Sequence, residues 1–173
     1  PYVQKALDYL AASGGGTLLI PTGKFLIKGT LHVNTLAAPI TIIGSVLNNR
    51  NYSANRVIGG TFIKNNPGDI FKINLKADGS SFLKADEQYP SFSMRGINFQ
   101  CKNEYAGGVN VFNGFRFRGS FIDISCDGFD YFMLQKDEDV NGIDNYCDQC
   151  VFDNIRISGS TYHGLRLFAS DCT

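Results

Sequence analysis

Short segments of one pattern recur along the second half of this chain, at spacings of 25 and 33 residues. Gly96–Phe99 (GINF), Phe121–Ile124 (FIDI) and Asn154–Ile157 (NIRI) each place an isoleucine before a polar and then an apolar residue. A second pair, Gly128–Tyr131 and Gly164–Leu167, follows the later two. One strand with polar turns cannot bury its apolar side alone, but stacked copies can. The repeat therefore predicts a solenoid of stacked strands, with a β-sandwich of unrelated short strands as the alternative.

The first part of the chain predicts one helix followed by many short strands. Val3, Ala6, Leu7 and Leu10 have helical spacing, and the glycine-rich run 13–16 ends the helix. Apolar residues then alternate with polar ones, as in strands. Strands are predicted at 17–20, 24–28, 31–33, 40–43, 57–58, 61–63 and 70–75, with an Asn-rich loop at 45–56.

Composition narrows the class of protein. Of the 173 residues, 43% are hydrophobic, which is the composition of a chain that folds. The 16 Lys and Arg are balanced by 16 Asp and Glu, so the chain lacks the basic excess of a general nucleic-acid binder. No apolar run approaches the roughly 20 residues of a membrane-spanning helix. Five cysteines, an odd number, leave the redox compartment open.

The residues 3–31 (VQKALDYLAASGGGTLLIPTGKFLIKGTL) resemble the N-terminal cap of the pectate-lyase-like superfamily. The later TIIGS, GINF, FIDIS and NIRIS segments are similar to strands of that family. The resemblance implies an all-β, right-handed single-stranded parallel β-helix over residues 1–173, with a capping α-helix and Gly-rich link at 1–16. Because the last residues look like part of another coil, we expect the N-terminal part of a longer β-helix.

The same resemblance implies a function. The family contains polysaccharide lyases, glycoside hydrolases and phage tailspike or appendage proteins. An Asn-rich chain without Trp is most similar to the tailspike branch, whose members are trimers that bind, and often cleave, a host polysaccharide. We therefore expect a polysaccharide-binding homotrimer on a virion tail or outside the cell, with depolymerase activity undecided. A secreted polysaccharide lyase or glycoside hydrolase and a non-catalytic β-helix shaft are the alternatives.

Outward positions of the repeat carry the candidate catalytic groups. Aligning the repeated segments stacks Asn98, Asp123 and Arg156 in one row and Asp130 over Arg166 in another. Paired carboxylates are what glycoside hydrolysis requires, so Asp123 and Asp130 are the predicted catalytic residues. The predicted substrate-binding residues are Arg156, Arg166, His163 and Tyr162. The alternative is plain surface ion pairing.

An acidic stretch, Asp137–Gly142, fits the D-x-D-x-N-G spacing of a calcium loop. Asp137, Asp139, Asn141 and Asp148 would be its oxygen ligands, so calcium is the one cofactor that the sequence raises, and none is required. A solvated acidic insertion without calcium is the alternative.

Cysteines and aromatic residues complete the set of candidates. Cys147 and Cys150 form a lone C-x-x-C, which would bind zinc only with further ligands such as Cys126 and Cys172. Buried, hydrophobe-like thiols are favoured instead. Tyrosines in turns are candidates for stacking on sugars, whereas phenylalanines at alternating positions are predicted to lie in the core. The tyrosines are Tyr52, Tyr89, Tyr105, Tyr146 and Tyr162, and the phenylalanines are Phe115, Phe117 and Phe129.

Overall fold

The structure is a computed structural model, and it describes most of the chain. The described residues are 2–35, 38–45, 59–82, 91–101, 110–135, 139–143, 145, 147–159, 164–167 and 169–170.

One helix and fifteen strands make up the described part of the chain. In chain order these are α1 (Tyr2–Ala12), β1 (Gly16–Ile20), β2 (Gly23–Ile27), β3 (Leu31–Val33), β4 (Ile40–Gly44), β5 (Gly60–Lys64), β6 (Phe71–Ile73), β7 (Phe92–Arg95), β8 (Ile97–Cys101), β9 (Asn110–Gly114), β10 (Gly119–Asp127), β11 (Tyr131–Leu134), β12 (Cys147–Asp148), β13 (Cys150–Ser158), β14 (Leu165–Arg166) and β15 (Ala169–Ser170). The helix and the strands predicted before residue 75 are present within one or two residues, except for 57–58, which lies outside the described residues.

The predicted fold class was wrong in its central feature. The protein is mostly β with one short helix, but its strands form two main parallel sheets of eight and five strands, and not a single-stranded right-handed β-helix. A two-stranded sheet of β12 and β15 is added. Every pairing between named strands is parallel.

The eight-stranded sheet consists of two arms that meet on β10. The first arm is β1–β4–β7 and the second is β2–β5–β8. The first half of β10 pairs with β7 and its second half pairs with β8, so one long strand belongs to both arms. β13 pairs along the length of β10, and the five-stranded sheet runs β3–β6–β9–β11–β14.

Backbone bends lie where the two arms meet, and they explain why the eight-stranded sheet is divided into two arms. Gly59, Gly96, Asp123 and Asn154 have φ values of 93°, 68°, 54° and 51°, all in the left-handed region. A residue in that region turns an extended chain sharply, and glycine, asparagine and aspartate are the residues that adopt it most readily. The bend separates β7 from β8 at Gly96, whereas β10 and β13 continue through theirs.

Phenylalanine and isoleucine side chains make up much of the core between the sheets. Phe112 has the rings of Phe71, Phe99, Phe121 and Phe132 around it at centroid distances of 5.1–5.6 Å. Phe115, Phe117 and Phe129 are buried, which confirms their predicted core position.

The helix α1 closes one end of this core. Leu7 is 1% exposed, and Val3, Leu10 and Ala11 pack beside it against the core. The amide of Gly15 donates to the carbonyl of Leu10, and Gly14 has φ 87°, which ends the helix as the glycine run predicts.

Candidate functional site

A partly buried carboxylate, 15% exposed, lies at the bend of β10. Asp123 accepts a hydrogen bond of 2.8 Å from the side-chain amide of Asn154, and its other oxygen lies 3.4 Å from Nε of Arg95. The side chains of Arg95 and Asp123 are 57% and 15% exposed, and Asn154 is exposed. We call Arg95, Asp123 and Asn154 the corner site.

The local fold creates this cluster from three strands. Arg95 ends β7 and opposes Ile122, one residue before the bend of β10. Ile122 in turn opposes Asp153, and Ile124 opposes Ile155, so Asp123 and Asn154 occupy matching bends on neighbouring strands. Neighbouring strands lie about 4.8 Å apart, which brings the two side chains into hydrogen-bonding reach.

A row of polar side chains leads away from the corner site across the second arm. The register aligns Lys24, Thr61, Asn98, Ser125 and Arg156 on five successive strands. Lys24 and Arg156 are exposed, whereas Thr61 and Ser125 are buried. The hydroxyl of Ser125 donates to the side-chain oxygen of Asn98. Lys24, Asn98 and Arg156 therefore present accessible hydrogen-bonding groups on every second strand, about 9.6 Å apart.

The register corrects the predicted stacking of candidate residues. Ser125, and not Asp123, lies between Asn98 and Arg156, because the repeat of β10 is the segment Asp123–Cys126 rather than Phe121–Ile124. Arg166 opposes Leu134, so it is not stacked on Asp130.

The structure does not bring the two predicted catalytic carboxylates together. Asp123 lies at the bend of β10, and four further residues of extended strand lead to Asp127, roughly 13 Å at about 3.3 Å per residue. Asp130 lies beyond that point and is 2% exposed. Carboxyl pairs in glycosidases are about 5–9.5 Å apart.

Asp130 belongs instead to a buried polar region beside the five-stranded sheet. The ammonium group of Lys64, 1% exposed, donates to the carbonyl of Gly29, and the amides of Asn110 and Asn113 donate to Asp69.

Burial lowers the pKa of Lys64, although the charge of Asp69 opposes that shift. Cys101 opposes Lys64, and burial followed by the charge of Asp130 raises the pKa of its thiol.

The predicted calcium loop is held by amide donors. Both carboxylate oxygens of Asp139 are engaged, by the amides of Ser81, Asn141 and Ile143 and by the side chain of Asn141. Burial opposes ionisation, but these donors outweigh it and hold the pKa of Asp139 below its usual value. Among the described residues, no three His, Cys, Asp or Glu side chains form a group that could hold a metal ion.

Several predicted site residues lie outside the described residues. These are Asp137 and His163, together with all five candidate stacking tyrosines, of which Tyr162 is one. Asp148 is described only through its backbone in β12. Calcium, and glycan contacts by these residues, stay predictions.

The cysteines that are described behave as hydrophobic side chains. Cys101, Cys126 and Cys150 are buried free thiols. Burial raises the pKa of Cys126 to about 12, which disfavours the thiolate that zinc would require. Cys172 and the side chain of Cys147 lie outside the described residues.

Sequence reasoning missed Arg95 and Asn154 as members of a site. A signal was available for Asn154, because Gly96, Asp123 and Asn154 each directly precede an isoleucine of the repeat. All three are residue types that tolerate a left-handed backbone. Arg95 carries no comparable signal and is found only from the register.

Comparisons with known proteins give a distant structural likeness. No family model matches the chain, and no curated protein matches it at a significant level. The crystal structure of a candidate glycosyl hydrolase from Parabacteroides merdae is similar at a TM-score of 0.46 and 11% identity. The match covers 98% of this chain and 72% of that one. In the described residues, no helix is long and apolar enough to cross a membrane.

Proposed function

We propose that this protein binds a polysaccharide at the corner site, with the glycan lying across the strands of the polar row. The observation that carries the proposal is the Asp123 carboxylate, which is 15% exposed and is held between the exposed side chains of Arg95 and Asn154. A carboxylate, an amide and a guanidinium at one place can accept from and donate to the neighbouring hydroxyl groups of a sugar.

The polar row supports an elongated ligand rather than a single sugar. Its more accessible members, Lys24, Asn98 and Arg156, lie on every second strand, about 9.6 Å apart, so a polymer with repeating hydroxyl groups can engage several of them. Arg156 and Lys24, at its two ends, carry positive charges that would favour acidic sugars. Multiple weak contacts along a polymer raise the overall affinity.

Binding accounts for the geometry better than hydrolysis by the predicted pair. Asp130 is buried, and it follows the end of β10, whereas Asp123 lies at the bend in the middle of that strand. These two carboxylates therefore do not flank one glycosidic bond. Depolymerase activity, a trimer, a tailspike role and a virion or extracellular location remain proposals that rest on the sequence resemblance.

A binding assay against a panel of capsular and plant polysaccharides tests the proposal. We expect one or more glycans to bind, and Arg95→Ala or Asp123→Ala to weaken binding about tenfold or more, since a charged hydrogen-bonding group is lost. Reducing ends and the absorbance of unsaturated uronates, measured in the same samples, report any cleavage.

Matched variants separate chemistry from folding. Asp123→Asn keeps a residue that tolerates the left-handed backbone while removing the charge, so the fold should persist. Lys76→Ala and Asp78→Asn change exposed groups of the same type away from the corner site and should bind as wild type does. Binding that is unchanged in Asp123→Ala and Arg95→Ala, or no binding across a broad panel, would contradict the proposal.

A further inference from the structure

Two Asn–Gly dipeptides occur in the chain, and the structure places them in different surroundings. Asn141 lies in an exposed turn and is followed by Gly142, which is also exposed and has φ 73°. Asn113 and Gly114 instead end the strand β9, where Asn113 is half-buried and β6 and β11 pair on either side. In this dipeptide the amide nitrogen of the glycine can reach the asparagine side chain easily, because glycine has no Cβ in the way.

The turn around Asn141 is organised by the carboxylate of Asp139. Its Oδ1 accepts hydrogen bonds from the backbone amides of Asn141, at 2.7 Å, and of Ile143, at 3.1 Å. Its Oδ2 accepts one of 3.0 Å from the backbone amide of Ser81. The peptide bond between Asn141 and Gly142 therefore lies between two amides that one oxygen atom holds, and the same carboxylate ties the turn to residue 81.

The groups that would react at Asn141 are weakly held. Its Nδ2 donates to Oδ2 of Asp139 at 3.4 Å, and the amide of Gly142 donates to the carbonyl of Asp139 at 3.2 Å. Both distances are at the long end of the hydrogen-bond range, and both residues are exposed, so water competes and local opening costs little.

The second dipeptide is held by the sheet. The side chain of Asn113 donates to Asp69 at 3.1 Å, and the backbone of Asn113 and Gly114 belongs to a strand with partners on both sides. An asparagine side chain can fold back onto the following amide there only if the strand leaves the sheet. The structure thus exposes one Asn–Gly dipeptide to reaction and protects the other.

We propose that Asn141 is a site of spontaneous deamidation in the folded protein, and that the product releases the turn 139–143 from residue 81. The amide nitrogen of Gly142 forms a bond to Cγ of Asn141, and the bond from Cγ to Nδ2 breaks. The departing nitrogen leaves as ammonia with the proton of the Gly142 amide, which closes a succinimide ring. Water then opens the ring at one of its two carbonyl carbons, giving aspartate or isoaspartate at position 141.

Both products disturb the hydrogen bonds of Asp139. Isoaspartate routes the main chain through the side-chain carbon and lengthens it by one atom between positions 141 and 142, so Oδ1 of Asp139 no longer fits the amides of residues 141 and 143 together. Aspartate replaces the donor Nδ2 by a carboxylate oxygen beside Oδ2 of Asp139, and the two like charges repel. In either case the carboxylate of Asp139 shifts away from the amide of Ser81.

Incubation of the folded chain at mildly alkaline pH, followed by digestion at acidic pH and mass-spectrometric peptide mapping, tests the site. We expect position 141 to deamidate at least about tenfold faster than position 113, because only Asn113 is held in a paired strand. In concentrated urea the two positions should react at similar rates, since both precede glycine. Equal rates in the folded chain, or reaction at position 141 only in urea, would overturn the proposal.

Hydrogen exchange tests the release of the turn. The deamidated chain separates from the intact one by ion exchange, since it carries one more negative charge. The amide of Ser81 should exchange about tenfold faster in the deamidated fraction, because its hydrogen bond to Asp139 is weakened. Asn141→Gln is the matched control: it keeps the side-chain amide but must close a larger ring, so an aged sample should stay intact and keep Ser81 protected. Identical exchange at Ser81 in the deamidated and intact fractions would refute the release.

Discussion

The two ends of the stacked strands are finished differently. At the first end, α1 inserts Leu7 into the core and contacts β3 through hydrogen bonds from Gln4. At the other end, β13 presents a whole strand edge, and its core-facing residues stay half-buried within the described part of the molecule. Both ends face the same problem, which is that a parallel sheet leaves unpaired backbone groups at its last strand.

Gln4 shows how a helix can meet the needs of a strand edge. Its side-chain nitrogen donates a hydrogen bond of 2.9 Å to the backbone carbonyl of His32. Its side-chain oxygen accepts one of 2.8 Å from the backbone amide of the same residue. One glutamine thus replaces the two hydrogen bonds that another strand would have made with β3. The helix thus closes its end with one inserted leucine and one amide, whereas Phe152, Ile155 and Ile157 of β13 stay half-buried within the described residues.

Truncating the inserted leucine gives the largest expected effect. Leu7→Ala leaves a cavity in the core and should lower the free energy of unfolding by about 2–5 kcal/mol. Ile157→Ala at the other end removes a half-buried side chain and should cost about 1 kcal/mol. Urea unfolding followed by circular dichroism measures both. Equal losses of unfolding free energy in Leu7→Ala and Ile157→Ala would contradict the difference between the two ends.

Removing the amide of Gln4 should have the next largest effect. Gln4→Ala leaves the amide and carbonyl of His32 without their partner, so the free energy of unfolding should fall by about 1–3 kcal/mol. Lys5→Ala, an exposed neighbour on the same helix, should change it by less than about 0.5 kcal/mol. The same unfolding assay decides this, and a loss in Gln4→Ala no larger than in Lys5→Ala would refute the role of Gln4.

Local patterns identified most elements because the physics there is local. Helical spacing from Val3 to Leu10 and the glycines after Ser13 predict α1 with nearly its observed bounds. Alternation likewise predicts β1 to β6. The arrangement of strands into two sheets was missed, because it depends on where β10 and β13 bend and on which halves then pair.

The error in the site has a similar cause. Ile122 and Ile124 both fit the repeat by composition, and aligning the first of them moved Asp123 into the wrong row. The residue before Ile124 tolerates a positive φ, as Gly96 and Asn154 do, and that property selects the correct alignment. The burial of Asp130 had no such signal, since it depends on packing near Lys64 and Cys101.

Asp139 offers the smallest and most specific test, because it satisfies backbone amides as Gln4 does but with a charged group. Its folded-state pKa lies below the unfolded value of about 3.9, so the stability it contributes is present above that pH and is lost as pH falls through the folded pKa. Unfolding measured from pH 7 downwards should therefore show a loss below about pH 4 that is reduced in Asp139→Asn and retained in Gln4→Ala. The neutral amide of Gln4 does not titrate, so its contribution should be constant over the same range. If stability falls as steeply with acid in Asp139→Asn as in wild type, the acid sensitivity comes from other carboxylates, and the predicted role of Asp139 is wrong.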